Sequence, residues 1–360
     1  MFAIADTDNV QNVVRRWHQR YGEIFYTKVG GTDYVWLSSP KTVRELMDKK
    51  SNVYSSRPPL PFAQDVASAG CRQLFMPYGP QWRQLRKHSH TLLNLTSSIK
   101  YQPVQDFESK QVLRDLLDHP DKFYNINRRY SASVIMRVSY GYRIPSFEDP
   151  LVKKIYSVLD HLTEMMAPGA HAVDSFPSFT ALPEFLLGNW YTKAKEFFDH
   201  DSGVWLELWN GLKKQVDQGT AKDSFCRDFY VSDPAKNNIN DLLAAYTCGG
   251  LVEAGSETTA TTINNWLLAM TLFPEVAKKA QREIDEVVGG ERLPQWDDER
   301  NLPYVRAMIK ETLRWRPVNK FGMFHSTTDD DWYKGYFIPK GTTVVLNWWY
   351  VYGMVVVLEA

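Results

Sequence analysis

The chain has 360 residues, of which 44% are hydrophobic and 14% aromatic, and its 42 Lys and Arg balance its 42 Asp and Glu. This length allows a large hydrophobic core in one big domain or two, and the zero net charge gives no support for a nucleic-acid-binding protein. The aromatic content suits either a large core, which is the simpler interpretation, or an apolar pocket.

Cysteine usage and apolar runs narrow the class further. The chain has three cysteines, Cys71, Cys226 and Cys248, and no two of them have CxxC spacing. An odd number without this spacing argues against a disulfide scaffold or a zinc site built from cysteines. No signal peptide is visible at the start, and no uninterrupted apolar run reaches the roughly 18 residues that span a bilayer. We therefore expect a chain that, as given, is soluble or at most peripherally attached to a membrane.

The first quarter of the chain predicts short helices, a hairpin and a long loop. Residues 9–21 have the apolar period of an amphipathic helix, and two β-rich runs flank the turn at 30–31. A serine cap and a first-turn proline begin a helix at residue 39. Residues 55–80 contain five prolines and two glycines, which predict an irregular loop. A basic amphipathic helix follows over 81–95.

The middle of the chain predicts mostly helices. The periodic segments are 104–118, 127–140, 150–167 and 191–218, with a loop at 170–190 and a polar connector at 219–237. The stretch Asn238–Phe273 stays mostly apolar without a proline, and could form a helix roughly 50 Å long.

The centre of this long helix carries an unusual AGSETT run at residues 254–259. Gly255 costs about 1 kcal/mol in a helix relative to alanine, and the hydroxyl of Thr258 can bond back to the helix and bend it. One interpretation is a close helix crossing through small residues. The other is that Ala254 and Gly255 make room for a flat ligand, while Glu257 and Thr258 supply a proton path.

The last part of the chain predicts two helices, 274–290 and 303–316, followed by short β-like pieces up to Trp349. The class is therefore mainly α, with small β-hairpins.

Three further patterns are candidate site residues, and each has a simpler structural interpretation. Glu311 and Arg314 share one helix face, as an exposed ion pair would. Trp82 and Arg86 share a face of the basic helix, which suits either solvation or recognition of an anionic group. His325 lies just before the terminal hairpin segment, where a lone histidine is most often structural.

In this order and spacing, the motifs resemble the cytochrome P450 family of haem-thiolate monooxygenases, and most of all the microsomal-type enzymes of fungi. The AGSETT run resembles the family's oxygen-binding groove, ETLR at 311–314 its ExxR motif, and WRQLR at 82–86 its WxxxR helix. The segment 329–349 is similar to the stretch that follows ExxR. The resemblance extends from about Trp17 to Trp349 and implies a P450-like helical fold.

The resemblance implies a haem cofactor against the central helix. Ala254, Gly255 and Thr258 would then face the distal side of the iron, and Thr258 with Glu257 would steer protons to bound dioxygen.

Other positions acquire roles by the same resemblance. Trp82, Arg86 and His325 would hold the haem propionates, whereas Glu311 and Arg314 would be structural and tie their helix to the haem-side meander.

The sequence departs from the family pattern at the iron ligand. The family uses a cysteine thiolate in an FxxGxxxCxG loop beyond ExxR, and none of the three cysteines of this chain has that context. We expect one partial domain over 1–349 and an aberrant tail over 350–360, from a mispredicted gene model or a frameshift. The family's membrane anchor is likewise not seen at the start.

The resemblance predicts a haem-dependent monooxygenase that inserts one oxygen atom from O2 into an apolar organic substrate, with NADPH-derived electrons from a reductase partner. The family's location is the endoplasmic reticulum membrane, whereas this chain, without an anchor, is expected to be cytoplasmic or peripheral, and inactive without the axial cysteine. The alternatives are a non-catalytic P450-derived protein that binds an apolar ligand or a partner, and a helical scaffold unrelated to haem.

Overall fold

The structure is a computed structural model that describes residues 10–29, 31–93, 98–167 and 169–349. It is mainly helical with two small sheets, which confirms the predicted class. The expected aberrant tail, 350–360, lies outside the described residues.

The α-helices of the described residues are numbered here in chain order. They are α1 Val10–Tyr21, α2 Pro40–Val43, α3 Ser51–Tyr54, α4 Pro80–Leu93, α5 Gln102–Asp118, α6 Phe123–Tyr140, α7 Pro150–Met166, α8 Ala172–Ser175, α9 Trp190–Asp217, α10 Phe225–Val231, α11 Asp241–Leu272, α12 Pro274–Val287 and α13 Pro303–Trp315.

Six strands form the two sheets. They are β1 Ile24–Val29, β2 Thr32–Leu37, β3 His325–Ser326, β4 Asp331–Tyr333, β5 Tyr336–Ile338 and β6 Thr343–Leu346. The larger sheet has the order β1-β2-β6-β3, in which β2 and β6 are parallel and the other pairs antiparallel. Strands β4 and β5 form a separate hairpin. The end of the described chain therefore returns to the strands near its beginning.

Helix α11 is the central element of the helical part. The side chain of Asn240 caps its first turn by accepting a hydrogen bond from the Leu243 amide (2.9 Å), and the helix ends just before Pro274, which starts α12. It packs mainly on α6 and α9. The main hydrophobic core lies between these helices and includes Trp205 and Trp209 of α9, both almost fully buried.

The prediction of a polar connector over 219–237 is wrong in part, because this segment contains helix α10. Phe225, Cys226 and Phe229 are buried there, and this apolar face packs into the main core. Seven residues are too few for a helical period to stand out from polar neighbours. Similarly, the proline-rich loop contains a π-helical turn, Pro61–Val66.

The membrane expectation can be examined for the described part of the chain. None of the helices there is long and apolar enough to cross a membrane.

Candidate functional site

The middle of α11 has an uncovered face. Ala254 and Thr258 are exposed, although Val252 and Glu253 just before them and Ser256 between them are buried. Residues four apart lie on one side of a helix, so Ala254 and Thr258 form one small, polar-edged surface. The Thr258 hydroxyl donates to the Ala254 carbonyl oxygen (2.8 Å).

Gly255 lies on a different side of α11. A Cβ added there would be 2.5 Å from Cγ1 and 2.7 Å from Cβ of Ile135 on α6, and the Ser131 hydroxyl donates to the Gly255 carbonyl oxygen (2.6 Å). Gly255 therefore allows α11 and α6 to cross at close distance. The expected contact of Gly255 with a ligand stays a prediction. Gly250 instead has nothing within 4 Å of its added Cβ.

Glu257 is half-buried and paired with a basic residue of α6. Arg128 donates to its carboxylate from Nε (3.1 Å to Oε2) and Nη2 (3.2 Å to Oε1), a two-point contact that orients the acid. The Arg128 guanidinium lies over the rings of Tyr156 (4.5 Å) and Tyr124 (4.7 Å). Sequence reasoning missed Arg128, because it is 129 positions away from Glu257.

Helix α4 presents Trp82 and Arg86 one turn apart. Trp82 is half-buried, packs against the main core and contacts the Tyr78 ring (centroids 5.3 Å apart). Arg86 is exposed. The pair therefore combines an anchored indole with a solvent-accessible guanidinium, a combination that can bind an anionic group.

His325 is held at the start of β3 by a long-range hydrogen bond. Its Nδ1 is 3.0 Å from the Tyr54 carbonyl oxygen, which can only accept, so Nδ1 carries the hydrogen. Burial, with a further contribution from the nearby Arg57 cation, lowers the pKa of His325 to about 4. The ring is therefore neutral near pH 7.

Arg57 is a second basic residue that sequence reasoning missed. Its Nη1 donates to the carbonyl oxygens of Met323 (3.1 Å) and Phe324 (2.8 Å), and burial lowers its pKa to about 10. It ties the proline-rich loop to the segment before β3. An arginine immediately before two prolines in an irregular loop was the only available signal.

Glu311 and Arg314 of α13 bond to each other. Arg314 Nε donates to Glu311 Oε2 (2.6 Å), and the acid is 57% exposed. The nearby link between α11 and α13 is the bond from Asn265 Nδ2 to the Arg316 carbonyl oxygen (3.1 Å). The expected contact of Glu311 and Arg314 with the haem-side meander stays a prediction.

Comparison with known proteins identifies the relatives of this chain. The profile of the family described as Cytochrome P450 matches residues 1–353. The chain is 49% identical over 355 residues to cytochrome P450 monooxygenase verL of Clonostachys rogersoniana. The aligned region covers 98% of this chain and 65% of that protein. It is 38% identical to cytochrome P450 monooxygenase fogE of Aspergillus ruber, in a region that covers 94% of this chain and 62% of that protein. It is 37% identical to cytochrome P450 monooxygenase virE of Hypocrea virens, in a region that covers 94% of this chain and 61% of that protein. It thus spans less than two thirds of the length of these relatives.

Proposed function

The chain belongs to the cytochrome P450 family, and on this basis we propose that residues 1–349 form, as one domain, the oxygen-facing side of a haem monooxygenase site. The reaction would insert one oxygen atom from O2 into an apolar organic substrate. The observation that carries this proposal is the exposure of Ala254 and Thr258 in the middle of an otherwise largely buried stretch of α11.

The residues fit haem on one side of the macrocycle. A flat, largely apolar ring needs a surface of small side chains, and the Ala254–Thr258 face offers one. The three cysteines do not fit the role of axial ligand, because all three thiols are buried, and burial raises the pKa of Cys71 and Cys226. A thiol held in its protonated form is a poor metal ligand.

Individual residues acquire roles in this proposal. Haem, when bound, supplies the iron at which dioxygen is activated. Thr258 would hold a proton at its Oγ, next to the ring face, while Ala254 would leave room for the ring. Gly255, on the side that faces α6, would contribute by letting α11 pack closely on that helix. Glu257 would relay protons toward Thr258, and the hydrogen bonds from Arg128 would hold its carboxylate in place.

The propionates would be held by hydrogen-bond donors. Trp82 would donate its indole N–H and Arg86 its guanidinium, because both act as donors toward carboxylates. The neutral His325 has its Nδ1 hydrogen committed to Tyr54. It would therefore help only if a propionate near Nε2 induced protonation of the ring.

Family membership also supports three proposals about the cellular context. The electrons would come from NADPH through a reductase, the substrate would be an apolar small molecule, and the protein would act at the endoplasmic reticulum membrane. Glu311 and Arg314 would stabilise the helix arrangement rather than contact substrate.

A haem titration of the purified chain tests the proposal, with the Soret absorbance as the readout. We expect Ala254→Phe to weaken haem binding at least about 10-fold, because the larger ring fills the proposed haem face, a loss of about 1.4 kcal/mol. Thr271→Phe is the matched control, since Thr271 is also exposed on α11 but lies about 25 Å away along the helix. Equal affinities in the two variants would contradict the proposed site.

Turnover distinguishes the enzyme from a non-catalytic binding protein of the same family. In this measurement a P450 reductase and NADPH are supplied with a panel of apolar substrates. Oxygenated product supports the monooxygenase, whereas haem binding without product is the expected result both for the alternative and for a chain in which no cysteine ligates the iron.

A further inference from the structure

A polar cluster joins helices α7 and α9 away from the Ala254–Thr258 face. Asp201 of α9 is fully buried. Its Oδ1 is 2.7 Å from Nδ1 of His161 on α7 and 3.0 Å from Nδ1 of His200. Its other oxygen, Oδ2, accepts a hydrogen bond from Nη2 of the buried Arg72 (2.8 Å).

The hydrogen bonds of Ser157 assign the hydrogen of His200. The Ser157 hydroxyl donates its one hydrogen to the Lys154 carbonyl oxygen (2.8 Å), so toward Nε2 of His200, at 3.2 Å, it acts as an acceptor. Nε2 therefore carries the hydrogen. With this tautomer the Nδ1 lone pair faces the Asp201 carboxylate, and a bound cation would satisfy both atoms.

We propose that His161, His200 and Asp201 form a binding site for a divalent transition-metal ion of the zinc class. The three candidate ligand atoms lie within 4.8 Å of one another. Two imidazole nitrogens and one carboxylate oxygen are a donor set that zinc takes in proteins, with water in the remaining position. The side chains of His161 and His200 are 24% and 40% exposed, so water and the ion can reach the site.

The surroundings supply the orienting contacts that metal ligands normally have. Ser157 accepts from His200 and Arg72 bonds to the far oxygen of Asp201, as hydrogen-bonding partners of metal ligands commonly do. The His161 ring stacks on Phe197 (centroids 3.9 Å apart, planes at 10°), which fixes its plane.

A buried arginine lies behind the proposed site. Arg72 lies between two carboxylates, those of Asp201 and of Glu253 on α11, the latter at 3.4 Å. A bound ion would link α7 to α9, the two helices that the segment 167–189 connects.

Zinc binding to the haem-free chain tests this inference independently of the proposed function. The chain is first freed of metal with a chelator and then titrated with Zn²⁺ against a chromophoric zinc indicator. We expect one zinc ion per chain, with affinity at least 10-fold weaker in His161→Gln and in His200→Gln. His119→Gln, an exposed histidine between α5 and α6, is the matched control and should bind as the parent chain does.

Two additional measurements keep the outcome decisive. Circular dichroism checks that each variant is folded, and Ser157→Ala, which leaves all three ligands in place, should weaken zinc binding by a smaller factor. Co²⁺ substitution should give the visible absorption of a low-coordinate nitrogen–oxygen site in the parent chain and not in His200→Gln. No stoichiometric zinc in the parent chain, or an affinity in folded His161→Gln and His200→Gln equal to that of the parent chain, overturns the proposal.

Discussion

At the scale of single residues, buried hydrogen bonds decide which proton state a side chain can hold. His325 donates through Nδ1 to Tyr54, and burial lowers its pKa to about 4. An unfolded histidine has a pKa of about 6.5. The unfolded chain therefore binds more protons at this position between pH 6.5 and pH 4, and folding stability is lost as pH falls through that window.

We predict that His325→Gln removes part of this acid sensitivity. The pKa difference is equivalent to about 3 kcal/mol at most, and partial exposure of the ring reduces it, so we expect the parent chain to lose about 1–2 kcal/mol more than the variant between pH 7 and pH 4. Urea unfolding at the two pH values measures the difference.

Comparison with the variant isolates His325 from other titrating groups. Burial also lowers the pKa of His171 to about 4, and burial raises that of Asp174 to about 7, so the latter opposes the trend. Both groups are present in both proteins and cancel in the difference. Identical pH dependence in the two proteins would show that His325 titrates normally in the folded state.

At the scale of elements, two glycines of α11 differ in what lies beside them. A Cβ at Gly255 would be 2.7 Å from the Cβ of Ile135, an atom that no rotamer change can move away. A Cβ at Gly250 meets nothing within 4 Å. The same substitution therefore has opposite expected effects at two positions of one helix.

We predict that Gly250→Ala stabilises the chain by up to about 1 kcal/mol, because alanine favours the helix. Gly255→Ala should destabilise it by about 1–2 kcal/mol, since overpacking against α6 outweighs that gain. Thermal or urea unfolding compares the two. A Gly255→Ala protein as stable as Gly250→Ala would refute the crossing.

The sequence predicted elements better than it predicted partners. Helix starts were readable because caps and prolines act locally, as Ser39 and Pro40 do at the start of α2 and Pro274 does at the start of α12. The short helix α10 was missed because its apolar face is visible only against the core it packs on. The bonds from Glu257 to Arg128 and from His325 to Tyr54 join residues 129 and 271 positions apart, so no local pattern encodes them. The motif order nevertheless identified the family correctly.

At the scale of the whole molecule, α11 separates two environments. On one side its residues form the core with α6 and α9, where Arg72, Asp201 and Glu253 make a buried ionic cluster that joins the proline-rich loop to two helices. Removing one member of such a cluster leaves a buried charge uncompensated, so we expect it to hold these elements in register. The other side carries the exposed Ala254–Thr258 face, where we propose that haem binds.

The position of the cysteines leads to a prediction about the iron ligand of bound haem. Cys71, Cys226 and Cys248 are all buried, and burial favours the neutral thiol at Cys71 and Cys226 by raising its pKa. Haem bound to the 360-residue chain should therefore be held weakly, and its reduced carbon monoxide adduct should lack the Soret band typical of thiolate ligation.

Single Cys→Ser variants at the three positions make this prediction decisive. Each variant should give the same haem spectrum as the parent chain, because none of the thiols contributes a ligand. A thiolate-type band in the parent chain that disappears in one variant would identify that cysteine as the ligand. It would also require the core around that cysteine to open when haem binds, since each of the three is packed inside the main hydrophobic core.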